Sequence, residues 1–178
     1  MLNDLRSITH SFVQEPSLEM ALASLVTDIK RALNSDCCSI YLAEAEQTVL
    51  RLQATDGLNR KAIGLTQMGF DEGLTGWVAQ REEPIKIYNA KRHPRFKNFP
   101  DVQEDEFTAF LGVPIIHRRQ VLGVITIQQS QARLFDQDEE AFLVTLSAQL
   151  ASSIANVSLR LKSESTYVEH ENHALVLK

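Results

Sequence analysis

The fold is decided by the stretch Phe110-Leu-Gly-Val-Pro-Ile-Ile-His-Arg-Arg-Gln-Val-Leu-Gly-Val-Ile-Thr-Ile-Gln128. Residues 110–116 and 121–128 are nearly continuous apolar runs, and the polar residues 117–120 separate them. Short runs rich in Val and Ile on either side of a polar turn predict two paired strands. Because the apolar residues occupy consecutive positions, we expect other elements to cover both faces of this hairpin.

A second hairpin is predicted closer to the N-terminus. Residues 37–43 form a short apolar run with β-branched and aromatic members, and residues 49–55 alternate between apolar and polar. The alternation predicts that Leu50, Leu52 and Ala54 share one face of a strand. Together the two hairpins indicate an antiparallel sheet.

Amphipathic helices flank these hairpins. Residues 18–33 carry a continuous apolar stripe at helical spacing, and a shorter helix is expected at residues 3–14. A long closing helix is predicted to begin at Asp136, which forms a capping-box pattern with Glu139; its apolar stripe reaches Leu161, and the helix is expected to end at Lys162. This segregation of helices and hairpins predicts an α+β fold: an antiparallel sheet with the long N- and C-terminal helices on one face and a short helix and loops over a pocket on the other.

Length and composition indicate one globular domain. The chain has 178 residues, of which 44% are hydrophobic and 23% charged. We expect a dimerisation helix at residues 1–15, the domain at residues 16–160, and a linker toward a downstream domain at residues 161–178. A net charge of −5 argues against nucleic acid or an anionic membrane as partner. The absence of a secretory signal or a membrane-spanning run favours the cytoplasm.

No catalytic or metal-binding motif stands out in the sequence. The chain lacks glycine-rich phosphate loops, HExxH and GxSxG, and its five histidines have no partners at metal-ligand spacing. We therefore expect no metal and no cofactor in this chain. Adjacent Cys37 and Cys38 should point to opposite faces of a strand and be buried. The basic cluster at residues 91–97 is expected to be a solvated loop, since acids follow it.

Polar residues inside strands that otherwise look buried suggest a site. They form cross-strand hydrogen bonds, or else they line a cavity that the helix of Trp77 and the long connection at residues 89–107 would cover. Arg95 and Lys97 are candidates to supply charge from this connection. The predicted pocket residues are Ser39, Tyr41, Gln53, Phe70, Trp77, Phe110, Thr126 and Gln128.

Several segments resemble one known family. The segment Phe70-Asp-Glu-Gly-Leu-Thr-Gly-Trp-Val-Ala-Gln-Arg-Glu-Glu-Pro-Ile85 resembles the central signature of GAF domains. Residues 109–115 and 121–127 are similar to the hairpin that follows in that family, and residues 136–143 are similar to its closing helix. The segments occur in the family's order, and the resemblance covers about residues 16–160.

A narrower resemblance rests on residues 91–97, 107–120 and 139–146. These are similar to the N-terminal sensory GAF domains of the nitrogen-type enzyme I family of bacterial phosphoenolpyruvate-protein phosphotransferases. The resemblance implies a regulatory domain that controls autophosphorylation in response to nitrogen metabolites, with glutamine or 2-oxoglutarate as ligand. It also implies a phosphocarrier protein as partner and Mg²⁺ for the parent enzyme, both through domains beyond residue 178. Catalysis is not expected in this chain.

The resemblance has limits and leaves alternatives. The motif of GAF domains that bind cyclic nucleotides is absent, and no cysteine suits bilin attachment. One alternative is a domain that only dimerises. Another is a GAF-fold methionine sulfoxide reductase, for which Cys37-Cys38 is a poor substitute for spaced redox cysteines.

A parallel homodimer through the flanking helices is also predicted. If the helix at residues 18–33 covers the sheet, Leu5, Ile8 and Phe12 have no room in the core and would pack on a second copy. The small residues Ala148, Ala151 and Ala155 would allow close helix approach. These are the residues that we expect at the interface.

Overall fold

The central element is a six-stranded antiparallel sheet. The computed structural model describes residues 1–44, 48–103 and 106–176, with the backbone alone for residues 157–176. Within these residues the strand order is β3-β2-β1-β6-β5-β4. The strands are β1 (Cys37–Ala43), β2 (Val49–Asp56), β3 (Gln67–Gly69), β4 (Ile85–Ile87), β5 (Ala109–His117) and β6 (Gln120–Gln129). Both predicted hairpins are confirmed, and β6 pairs with β1 to join them.

The α-helices are divided between the two sides of this sheet. They are α1 (Leu2–Gln14), α2 (Leu18–Ala32), α3 (Gly73–Arg81) and α4 (Gln137–Val176). Helices α2 and α4 pack on one face, and α3 packs on the other face against β5 and β6. The α+β architecture is therefore confirmed, with the long helices on one side. Helix α4 continues well beyond the predicted end at Lys162.

Each face of the sheet has its own apolar core. Ile125 and Ile127 of β6 belong to the helix-side core with α2 and α4, whereas Val124 belongs to the core under α3. This alternation explains why β6 is apolar at consecutive positions, because side chains on successive residues enter different cores. The side of the sheet under α3 is called the pocket side below.

A β-bulge corrects the predicted alternation along β2. Ile40 pairs with Ala54 and Tyr41 pairs with Leu52, so Gln53 is an extra residue between them. Such an insertion moves the following side chains to the other face. Leu50 and Leu52 accordingly lie in the pocket-side core and Ala54 in the helix-side core. The prediction that these three residues share one face was wrong.

The apolar side chains of α1 are buried without a second copy of the chain, contrary to the prediction. Ile8 and Phe12 are buried in the monomer, and Leu5 packs against the same helix-side core. Helix α1 packs on α2 and α4 rather than on the sheet. This arrangement leaves room for its apolar side chains within one chain.

The small residues predicted along α4 do not form one exposed face. Ala148 is exposed, whereas Ala151 and Ala155 are buried in the monomer. The two groups differ because the positions fall on different sides of the helix, and only one side faces solvent. The close helix approach that these residues were expected to allow is therefore partly used within the monomer.

The capping box at the start of α4 is confirmed. The Asp136 N–H donates to Glu139 Oε2 at 2.8 Å, and the Glu139 N–H donates to Asp136 Oδ1 at 2.8 Å. The Arg133 guanidinium donates to both Glu139 oxygens, at 2.7 and 3.0 Å, and lies over the Phe135 ring. These contacts fix the angle at which the chain passes from β6 into α4.

Candidate functional site

Two glycines allow α3 to lie close to the sheet on the pocket side. A Cβ at Gly76 of α3 would collide with the carbonyl oxygen of Gly69 in β3. A Cβ at Gly112 of β5 would come within 2.5 Å of Val78 Cγ2 in α3. Helix α3 is therefore seated against both β3 and β5 by the absence of side chains at these positions.

The connection from β4 to β5 lies over α3 and forms a lid, which comprises residues 89–103 and 106–107. The His93 ring is 5.1 Å from the Trp77 ring, and the Arg95 guanidinium is 5.1 Å from the same indole. Further along the lid, Lys97 Nζ lies 2.9 Å from Glu72 Oε1, just before α3 begins. The predicted covering role of this connection is consistent with these contacts.

A small cavity lies between the lid, α3 and the sheet. Its volume is about 20 Å³, which is room for one water molecule. Aromatic side chains from the lid and from β5 fill most of the space around it. The residues that line it are Met68, Leu74, Thr75, Ala90, Phe96, Lys97, Phe99, Phe107, Phe110 and Gln128.

Polar groups on the pocket side of the sheet differ in how they are satisfied. Ser39 Oγ and Thr55 Oγ1 share a hydrogen bond of 2.8 Å, so cross-strand bonding accounts for this pair. Thr126, between Ser39 and Gly112 in the register, is 1% exposed, and its Oγ1 has no hydrogen-bond partner among the described residues. An unsatisfied buried hydroxyl costs about 1–3 kcal/mol. Cross-strand bonding thus accounts for Ser39 and Thr55 but not for Thr126.

The structure brings only part of the predicted pocket together. Phe110 and Gln128 line the cavity, as does Lys97, which was suggested as a source of charge. Ser39, Tyr41 and Thr126 lie on the pocket-side face of β1 and β6 but do not line the cavity in this closed form.

Three other predicted residues lie elsewhere. Phe70 and Trp77 pack against the pocket-side core, and Gln53 occupies the β2 bulge; none of the three lines the cavity. The cavity is therefore not under Trp77, because the indole faces His93 and Arg95 of the lid while Leu74 and Thr75 face inward.

Sequence reasoning missed most of the apolar lining. Phe96, Phe99 and Phe107 lie over the cavity, and the sequence did not predict this placement. Their spacing within an irregular connection was the one available signal, since aromatic side chains in a long covering loop commonly enclose a site.

Among the described residues, one charged side chain borders the cavity, and it is paired. Lys97 lines the cavity and contacts Glu72, whose other oxygen accepts the Gly69 N–H at 3.0 Å. The Gly69 hydrogen bond, followed by the contact with Lys97, lowers the pKa of Glu72 below its ordinary value. Glu72 is therefore ionised at neutral pH and balances the Lys97 charge.

The cysteines are unsuited to redox chemistry. Cys37 lies in the pocket-side core and Cys38 in the helix-side core, and both are fully buried. Burial raises the pKa of the Cys38 thiol well above its ordinary value. The prediction that the two thiols enter opposite faces is confirmed. A redox enzyme needs an accessible thiolate, so this geometry disfavours the methionine sulfoxide reductase alternative.

The described residues form neither a metal-binding cluster nor a membrane-spanning helix. No group of three or more His, Cys, Asp or Glu side chains in that part of the chain is placed to hold a metal ion. Among the same residues, no helix combines the length and the apolar character that crossing a membrane requires.

Comparisons with known proteins match this geometry. A family model described as GAF domain matches residues 17–154. The chain is 45% identical over 159 residues to a protein of Escherichia coli (strain K12) named phosphoenolpyruvate-dependent phosphotransferase system. The match covers 89% of this chain and 21% of that protein, so the chain spans about a fifth of its relative.

Solved structures agree with the family match. The GAF domain from a phosphoenolpyruvate-protein phosphotransferase of Coxiella burnetii superposes with a TM-score of 0.84 at 40% identity, covering 89% of this chain and 95% of that one. A free methionine-R-sulfoxide reductase from Neisseria meningitidis, solved with its substrate, has a TM-score of 0.75 at 17% identity, covering 88% and 89%. This second likeness shows a shared fold.

Proposed function

The chain belongs to the GAF domain family, and from this premise we propose that it is the ligand-sensing regulatory part of a cytoplasmic phosphoenolpyruvate-protein phosphotransferase. It controls autophosphorylation of that enzyme in response to nitrogen metabolites. The similarity to phosphotransferase relatives supports the parent activity. The observation that carries the sensing role is the buried hydroxyl of Thr126, which has no hydrogen-bond partner among the described residues and lies on the side of the sheet that the lid covers.

The physical argument concerns why this hydroxyl is present. A domain that only dimerises would be more stable with Val at position 126, because Val has the same shape and no unsatisfied oxygen. The neighbouring Gln128 places an amide at the cavity itself. Polar groups in an otherwise apolar enclosure are typical of a site that selects a small ligand.

Glutamine and 2-oxoglutarate are the ligands we propose, following the family resemblance. Hydroxyl and amide groups offer donors and acceptors to a carboxylate or an amide. Neither compound fits a cavity of about 20 Å³, so binding must accompany movement of the lid. Ligand binding and lid position are then linked, which is what a regulatory domain requires.

A thermal-shift titration tests the sensing role. A ligand at 100 times its Kd adds about 2.7 kcal/mol to the unfolding free energy, which raises the melting temperature measurably. We expect glutamine or 2-oxoglutarate to raise it in a saturable way. If neither compound changes the melting temperature at tens of millimolar, a domain that only dimerises becomes the better account.

The parent activity requires groups outside this chain. We propose that the phosphocarrier partner and Mg²⁺ act through downstream domains, and that this chain holds no cofactor of its own. The chain is a regulatory fragment in this proposal and is not itself an enzyme.

A homodimer through α4 is also part of the proposal. Val144 and Ala148 are exposed on α4, and they line an apolar groove with Pro114 and Ile116 of β5. A groove of this kind beside a long helix favours packing against a second copy, since symmetric pairing is the commonest oligomeric arrangement.

Light scattering tests this interface. The wild type is expected to show twice the chain mass at micromolar concentration, and a Val144→Asp, Ala148→Asp double variant is expected to show the chain mass. Leu65→Asp is the control, because Leu65 is also an exposed apolar residue, at 75% against 37% for Val144, but lies in the loop before β3. A wild type that stays monomeric, or a double variant that still dimerises, contradicts the interface.

A further inference from the structure

The charge around the cavity restricts the ligand. Of the described residues that line it, Lys97 alone is charged, and the others are apolar or neutral and polar. A site that is lined by uncharged side chains and one ammonium group favours a ligand with a negative group at one end. This argument rests on the proposed sensing function and uses only the side chains around the cavity.

In the closed form this ammonium is already paired. Lys97 Nζ contacts Glu72 Oε1 at 2.9 Å, and the ion pair joins the lid to the residue that precedes α3. The second Glu72 oxygen accepts a hydrogen bond from the Gly69 N–H, which holds the carboxylate in place next to the start of α3. An incoming anion therefore competes with Glu72 for the same ammonium.

The same lid segment also blocks the cavity. Phe96 and Phe99 flank Lys97 in sequence and line the cavity. Phe99 lies over Gly73, where an added Cβ would be 3.1 Å from the ring. A ligand larger than one water molecule must displace these rings. Because the rings flank Lys97 in sequence, ligand binding also moves Lys97.

We propose that the ligand is a small carboxylate that binds Lys97 Nζ in place of Glu72, and that this exchange releases residues 93–99 from α3. Lys97 then determines the charge of the ligand, and Glu72 is the internal competitor that keeps the lid closed without ligand. In the ligand-free protein the lid is closed and the Glu72 carboxylate is paired with Lys97. In the bound form the lid is open and the carboxylate of the ligand is paired with Lys97.

The closed-lid role of Glu72 is tested without any ligand. Glu72→Gln keeps the acceptor for the Gly69 N–H but removes the charge that attracts Lys97. We expect amide hydrogen exchange of residues 93–99 to be about two- to fivefold faster, which is the range for loss of an exposed ion pair. Emission of Trp77, the only tryptophan, should change because His93 and Arg95 lie against it.

Glu83→Gln is the matched control for this experiment. It removes a similarly exposed ion pair, that of Glu83 with Arg81 at the other end of α3. Exchange of residues 93–99 should stay at the wild-type rate in this variant. If Glu72→Gln also leaves the exchange unchanged, the competitor role of Glu72 is overturned.

Titration calorimetry with glutarate and its uncharged diamide, glutaramide, tests the ligand class. We expect glutarate to bind wild type, and to bind Glu72→Gln about two- to fivefold more tightly because the competing ion pair is lost. It should bind Lys97→Gln at least about tenfold more weakly, because a hydrogen bond between two charged groups is lost. Glutaramide should bind wild type at least tenfold more weakly than glutarate. Lys97 is half exposed, so its replacement should not affect folding.

The outcomes separate this inference from the sensing function. Equal binding of glutarate by wild type and Lys97→Gln, or equal binding of glutarate and glutaramide, overturns the Lys97 assignment and leaves the sensing function standing. If neither compound binds wild type or Glu72→Gln, the carboxylate assignment is overturned. The sensing function is then also contradicted if the thermal-shift titration with glutamine and 2-oxoglutarate shows no effect.

Discussion

Replacing Gly76 by Ala is expected to lower the unfolding free energy by about 3 kcal/mol or more, or to prevent folding. In an ordinary helix this change stabilises by about 1 kcal/mol, because Ala has the higher helix propensity. Here the added Cβ would collide with the Gly69 carbonyl oxygen and lie 3.3 Å from the Phe70 backbone. Because these are backbone atoms, α3 itself must shift. Urea unfolding followed by circular dichroism measures the difference.

Gly64→Ala is the control for this prediction. A Cβ at Gly64 meets nothing within 4 Å, but its φ of +78° is unfavourable for Ala. We expect a loss of about 1 kcal/mol from this backbone effect alone. A Gly76→Ala variant as stable as wild type, or more stable, contradicts the close seating of α3 against β3.

Thr126→Val is expected to act in opposite directions on stability and on ligand binding. It should raise the unfolding free energy of the ligand-free protein by about 1–2 kcal/mol, because the buried Oγ1 has no partner there. It should also lower the affinity for the ligand about tenfold, because a lost hydrogen bond is worth about 1 kcal/mol or more. Urea unfolding and calorimetric titration with 2-oxoglutarate measure the two effects.

Thr55→Val is the matched control. Thr55 is also buried on the pocket side, but its hydroxyl is bonded to Ser39 Oγ and accepts the Leu58 N–H at 3.2 Å. Its removal leaves the Leu58 N–H without this acceptor and Ser39 Oγ with only its contact to Cys37 Sγ, and it should cost about 1–3 kcal/mol. If Thr126→Val destabilises as much as Thr55→Val does, the Thr126 hydroxyl is satisfied, and the argument for a ligand at that position fails.

The parts of the fold that local sequence determines were predictable. The β5–β6 hairpin follows from two apolar runs around a polar turn, and the start of α4 follows from the spacing of Asp136 and Glu139. In each case the pattern and the contacts that it predicts lie in one continuous segment of the chain. A local pattern in the sequence can therefore predict these contacts.

The bulge in β2 depends on contacts that are distant in sequence. Nothing near Gln53 marks it as an extra residue, since the alternation on either side is regular. The register shift appears only when β2 pairs with β1, where Ile40 and Tyr41 skip one residue of the partner strand. In a strand that has a bulge, periodicity alone therefore does not predict which face of the sheet each side chain enters.

The sequence predicted the residues that the sheet contributes to the candidate site better than those that the lid contributes. Gln128 was predicted because it is a polar residue in a strand that otherwise looks buried, and it lines the cavity together with Phe110. The direction of Trp77 and of Phe96 depends on how the lid packs on α3, for which the sequence has no periodic signal. The role of Lys97 likewise depends on its contact with Glu72, 25 residues away.

Methyl NMR of the ligand-binding face tests the central claim most directly. The protein would be labelled at Thr, Met and Ile methyl groups and titrated with 2-oxoglutarate and, separately, with glutamine. We predict saturable shifts for Thr75, Thr126 and Met68 on the pocket side, with Ile125 and Ile127 in the helix-side core unchanged. The absence of shifts with both compounds, or shifts confined to the helix-side core, would contradict a ligand site beneath the lid.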